Sequence, residues 1–120
     1  MIYTDIAHPL VALSNTLATA KSTTANGTAF DLGVVSSCQR LIGVLHVTQV
    51  SARSIFTIQS ATSSGFTAPT TRITFTETTA IRGELPTPVS GPIADHNFWR
   101  ASWTFSSSGS QKFLVGMAIR

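Results

Sequence analysis

The stretch that most restricts what this chain can fold into is residues 98–120, which read FWRASWTF, then SSSGSQK, then FLVGMAIR. In the first part Trp99, Ala101, Trp103 and Phe105 alternate with Arg100, Ser102 and Thr104. In the last part Phe113, Val115, Met117 and Ile119 alternate with Leu114, Gly116, Ala118 and Arg120. A period of two sustained over that length is a pleated strand with one buried face. The Ser/Gly-rich link between the two runs has turn chemistry. The reading is a β-hairpin with both tryptophans on its core face and its final strand inside the fold.

The rest of the chain repeats the pattern at shorter length. Residues 17–22 are a strand candidate, and the Asn26–Gly27 pair that follows is the strongest short-range hairpin signal. Residues 41–50, LIGVLHVTQV, form a longer, β-branched run that both layers can cover. Residues 54–60 place Phe56 and Ile58 on one face and Thr57 and Gln59 on the other, and residues 72–77 place Ile73 and Phe75 inward. Residues 78–97 carry Pro86, Pro88 and Pro92, and central strands exclude proline. That segment is an ordered loop with room for one short strand near residues 80–82 or 88–90. The expected fold is an all-β domain, a single β-sandwich of about seven or eight short antiparallel strands, jelly-roll or Greek-key-like.

The division that follows is an N-terminal arm or docking segment, residues 1–16, and a β-sandwich domain, residues 17–120. In the arm Ile2, Ile6, Leu10 and Leu13 recur at helical spacing, but His8–Pro9 breaks any helix. Two readings stand side by side: an apolar segment that packs on its own sandwich, and an arm that docks on a neighbour. The candidate interface residues are Ile2, Tyr3, Ile6, Leu10, Val11 and Leu13, with Phe98 on the face opposite the tryptophans.

Composition narrows the function. Charged residues make up 11% of the chain, against a usual ~25%. Fifteen serines and eighteen threonines take their place. Such a surface lacks the charge that keeps monomers apart, which points to life in an assembly. The net charge is +3, but the cations are scattered and form no basic run, so nucleic acid is not an expected partner. No apolar run approaches the ~20 residues of a membrane span, and the N-terminus has no basic leader pattern, so no membrane is expected. Cys38 is the only cysteine, so no internal disulfide can form; it is read as a small packing residue.

Catalysis needs converging ionisable groups, and three histidines and five carboxylates offer few. Asp95–His96–Asn97 is the one local polar constellation, without the spacing of a zinc or calcium motif, and is read as a turn cap before Phe98. No nucleophile elbow or phosphate loop occurs. The expectation is a protein that is not an enzyme and needs no cofactor or metal. His46, alone in its strand, is read as structural. Exposed tryptophans on a sandwich can stack on sugar rings, but Trp99 and Trp103 share a face with Ala101 and Phe105, which favours the core over a carbohydrate platform.

Three segments carry a family resemblance: TANGTAFDLG at residues 24–33, FTIQ at residues 56–59, and the R-x-S-W-T…V-G-x-A pattern running from Arg100 to Ala118. Together they resemble a class of tailed-bacteriophage virion proteins, the β-sandwich capsid decoration (cement) and minor head proteins. Where such proteins follow the I-Q strand with E-S-D-D-G, this chain has SATSSG, so the resemblance carries over no acidic contact. It implies a non-enzymatic structural role: a homotrimer at local three-fold positions outside the phage head, partnered by the major capsid protein and made in the host cytoplasm. The alternatives are a carbohydrate-binding module of a tail or fibre, and another head–tail component.

Overall fold

The computed structural model describes residues 8–120, with side chains from residue 10 onward. It contains ten strands and, among the described residues, no helix. In chain order these are β1 (His8–Asn15), β2 (Ala25–Asn26), β3 (Phe30–Asp31), β4 (Arg40–Val50), β5 (Ser54–Ala61), β6 (Thr70–Thr74), β7 (Arg82–Glu84), β8 (Val89–Ser90), β9 (Phe98–Phe105) and β10 (Gln111–Ile119). They form two antiparallel sheets. Sheet A runs β1–β10–β4–β7, with β8 beside β7 on the same partner, β4. Sheet B runs β2–β9–β5–β6, with β3 beside β2 on β9. One edge of each sheet is therefore a single lane broken into two short pieces.

The two sheets pack face to face because β9 and β10 each hold one fully apolar face. Trp99, Ala101 and Trp103 of β9 are buried, as are Phe113, Val115, Met117 and Ile119 of β10. Phe113 sits at the centre: its ring lies 4.5 Å from Phe56 and 5.0 Å from Trp103, both on the opposing sheet. These edge and tilted contacts are the favoured aromatic geometries. Leu13, Val35, Leu41, Leu45, Val47, Ile58, Ile73, Phe75 and Ile93 complete the core. The last strand lies inside its sheet, between β1 and β4, as the alternation at the C-terminus leads one to expect.

The expected C-terminal hairpin is not formed. β9 and β10 do not pair with each other; residues 106–110 carry the chain across the sandwich from sheet B to sheet A. The residues between β4 and β5 make the same crossing beside it. The two arches are tied together: Ser51 N donates to Ser110 O at 2.9 Å, Ser110 N to Ser51 Oγ at 2.9 Å, and Arg53 N to Ser107 Oγ at 2.8 Å. Period-two patterning is the same for a hairpin and an arch. Two strands that each bury a large apolar face are better served by facing one another than by lying side by side.

Asn26–Gly27 does not make a hairpin either. β2 and β3 both pair with β9, one beside Trp103 and the other beside Trp99, so the chain continues in one direction along that edge. Gly27 is needed for close approach: a Cβ there would stand 3.3 Å from Leu13 O and 3.4 Å from Ala101 O. Residues 17–22 form no strand; only Lys21 bridges to Gln111. Of the segment 1–16, residues 8–15 are β1, the edge strand of sheet A, paired with β10. The proline-rich stretch holds two short edge strands, β7 and β8, where one was expected.

Candidate interaction surface

The outer faces of the two sheets differ in chemistry. On sheet B the outward positions of β9 and β5 are Arg100, Ser102 and Thr104, and Ile55, Thr57 and Gln59, in register with one another. That face is mostly polar, with Ile55 its exposed apolar residue, and its Arg100 cation is held down. Arg100 Nε donates to Gln59 Oε1 at 2.9 Å, and the guanidinium stacks 4.3 Å above the Phe66 ring. Burial pulls the Arg100 guanidinium below the usual arginine value, because desolvation disfavours its charge. Phe66 holds a left-handed backbone, φ 51°, to lie there.

On sheet A the outward positions of β10 are Leu114, Gly116 and Ala118, in register with His46, Val44 and Ile42 of β4. Ala12 of β1 lies opposite Gly116, and Leu10 leans over it, so that a Cβ on Gly116 would meet Leu10 Cδ1 at 3.2 Å. At the other edge Gly83 of β7 opposes His46. Ile81 and Leu85 share its parity and are 67% and 73% exposed, while Leu10 is 60% exposed. Among the described residues no charged side chain stands between the two ends of this face. Lys112 marks one end and Arg40 with Arg120 the other.

The expected interface residues fall in different places. Leu10 is on the exposed edge of this face and Val11 is half-buried. Leu13 is 2% exposed and belongs to the core, so it cannot serve an interface: β1 turns it inward toward the sandwich. Phe98 is half-buried at the start of β9, between Asp31 and Ala61. Ile2, Tyr3 and Ile6 lie outside the described residues. Leu114 and Ala118 were legible as alternating positions; Ile42 and Val44 lie in the run expected to be covered on both faces, but among the described residues only its inner face is covered, and the register of β4 on β10 gathers the four into one patch.

Neither tryptophan is open to a sugar ring. Trp99 Nε1 donates to Gly33 O at 2.7 Å and Trp103 Nε1 to Thr23 O at 3.0 Å, so both indoles are buried with their polar handle satisfied. Cys38 is exposed and packs in no core, contrary to the expectation, because it sits in the 32–39 connection between the sheets. His46 is exposed on the sheet A face. In Asp95–His96–Asn97 the cap is made by the backbone: Asn97 O accepts from Leu32 N and Gly33 N at 3.0 and 3.1 Å. Sequence reasoning missed the partners of His96. Its Nδ1 is 2.8 Å from Ser60 Oγ and 3.3 Å from Arg72 Nη2, and Arg72 Nε donates to Ser60 Oγ at 2.8 Å. Arginine only donates, so Nδ1 is placed as an acceptor. Ser60 is fully buried, and the trio fastens β6 and residues 95–97 to the end of β5.

A groove of about 460 Å³ opens between β1 and β2, with Leu13, Phe30 and Trp103 in its lining. Its one ionisable side chain is Lys21. Among the described residues no group of three or more His, Cys, Asp or Glu side chains is placed to hold a metal ion, and no helix is long and apolar enough to cross a membrane. Comparison of the chain with protein-family models, with curated proteins and with solved structures finds no match.

Proposed function

We propose that this protein is a structural component of a phage virion: a capsid decoration (cement) protein that binds the outside of the head at local three-fold positions, as a homotrimer, and stabilises the shell. The observation that carries this reading is the contrast between the two outer faces, one largely apolar and left uncovered by the described residues, one rich in hydroxyls. A cement protein has to meet both its own copies and the shell, and two chemically different faces supply two contacts. Disulfide-free rigidity and low charge suit a domain made in the host cytoplasm and built into an assembly. Weak binding by each subunit suffices, because three linked subunits engage the shell together.

The strand order supports a jelly-roll-like assignment. β4 and β5 arch over the core beside β10 and β9, and at the opposite end Val35 and Ile93 tie the β3–β4 and β8–β9 connections together with bonds of 2.7 and 3.2 Å. A ribbon folded over itself in this way is the plan of that class. The docking role assigned to the N-terminal segment now rests on residues 1–7, since residues 8–15 are a sheet strand.

Co-sedimentation with phage heads lacking their own decoration, followed by electron microscopy of the complex, tests the reading. Saturable binding with density at three-fold positions is the expected result. Density confined to the tail, or binding only on a glycan array, would replace it with the tail or carbohydrate alternatives.

A further inference from the structure

We propose that the outer face of sheet A is the surface on which one copy of this chain packs against another. The inference deepens the self-association proposed above and needs no shell.

Apart from His46, which is exposed on it, the interior of the face is apolar, and among the described residues no other element covers it. Nine residues of β10 at ~3.4 Å and four lanes at ~4.8 Å give the whole face, polar positions included, a footprint of about 30 by 19 Å, or roughly 570 Å². A second copy seated over the whole of this face buries roughly 1,100 Å² counting both surfaces, just past the ~1,000 Å² a specific interface has to clear.

Charge favours a copy over a foreign partner. The interior of the face carries no charged side chain, so it offers no salt-bridge pattern for a different surface to match. Its cations, Lys112, Arg40 and Arg120, stand only at the ends, where water solvates them. The most exposed apolar side chains stand at opposite edges, Leu10 on the β1 side and Ile81 with Leu85 on the β7 side. When copies meet, the margin of one can therefore close on the margin of the next.

Backbone pairing at the edge is the weaker route. β1 carries Pro9, which cannot donate, and its register with β10 shifts twice, between His8 and Val11 and between Ala12 and Ser14. Proline and bulges are how sheets blunt an edge against strand addition. The face remains the unblunted surface.

Sedimentation velocity of the full chain over a dilution series tests the proposal without shells. The wild type is expected at a multiple of the single-chain mass. Val44→Lys, a charge at the centre of the face, is expected to fall to the single-chain mass, while Thr104→Lys on the outer face of sheet B assembles as the wild type does. A wild type that stays at single-chain mass at every concentration overturns the proposal, as does a Val44→Lys protein that assembles normally. Should Val44→Lys fail to fold, Ala118→Cys in a Cys38→Ser background gives a second reading by maleimide labelling. Slow labelling when concentrated and fast labelling on dilution supports the face as interface; equal rates at all concentrations overturn it. Failure of shell binding with assembly intact would count against the cement reading alone.

Discussion

Trp103 concentrates the forces that hold single residues in place. Its indole packs edge-on against Phe113, 5.0 Å between centroids, and donates to Thr23 O at 3.0 Å. Trp103→Ala therefore loses packing, leaves a cavity and strands a carbonyl. Chemical denaturation should show a loss of about 3–5 kcal/mol, the range for deleting a core aromatic. Gly43 is the opposite case. A Cβ there would meet Ile73 Cδ1 at 2.9 Å and Ile58 Cδ1 at 3.1 Å, so this point of β4 has no spare volume. Gly43→Val should cost about 1–3 kcal/mol through overpacking, read as a lowered denaturation midpoint. The buried side chain of Gln111 donates from Nε2 to Ala52 O at 2.6 Å, which ties the start of β10 to the β4–β5 arch.

At the scale of elements the paired arches decide the topology. Gly109 holds φ 130°, and a Cβ on it would stand 2.2 Å from Ser51 O, the same residue that exchanges hydrogen bonds with Ser110. No side chain fits without pulling the two arches apart. Gly109→Ala should lower stability by about 1–3 kcal/mol, because backbone strain and lost clasp bonds add. Gly65→Ala is the matched control. A Cβ there meets nothing closer than 3.9 Å, and thermal unfolding should place its midpoint near the wild type. Equal effects of the two substitutions would mean that the clasp contributes nothing. At the β7 edge Arg82 and Glu84 pair at 2.6 Å while Glu84 also accepts from Thr76 N, which fastens the β6–β7 crossing.

For the whole molecule the chain pairs its beginning with its end: β1 lies on β10, and β4 on β10 across most of the sequence. Loop closure over such separations precedes any gain from contact, so refolding should take milliseconds to seconds rather than microseconds, as stopped-flow tryptophan fluorescence would record. The assembly prediction also belongs here. The described strands begin at His8, so a truncation of residues 1–7 removes none of them. On the docking reading that truncation should weaken attachment to phage heads more than it weakens the fold. Co-sedimentation of the truncated protein at unchanged affinity would remove the N-terminal segment from the proposal.

The sequence by itself determined the class of fold and the identity of most inward residues. A pleated strand exposes alternate side chains to opposite faces, so period-two patterning names Trp99, Trp103, Phe113 and Met117 as core without reference to any partner. What the sequence could not determine was which strand lies beside which. Residues 106–110 read equally as a hairpin turn and as an arch, and Asn26–Gly27 reads as a hairpin although the chain runs straight on along β9. Pairing is settled by the burial of two apolar faces against each other and by the backbone bonds between distant segments, which local pattern does not encode. The sheet A patch follows from the same cause. Val44 and Leu114 lie seventy positions apart in the sequence, and only the register of β4 on β10 brings them into one surface.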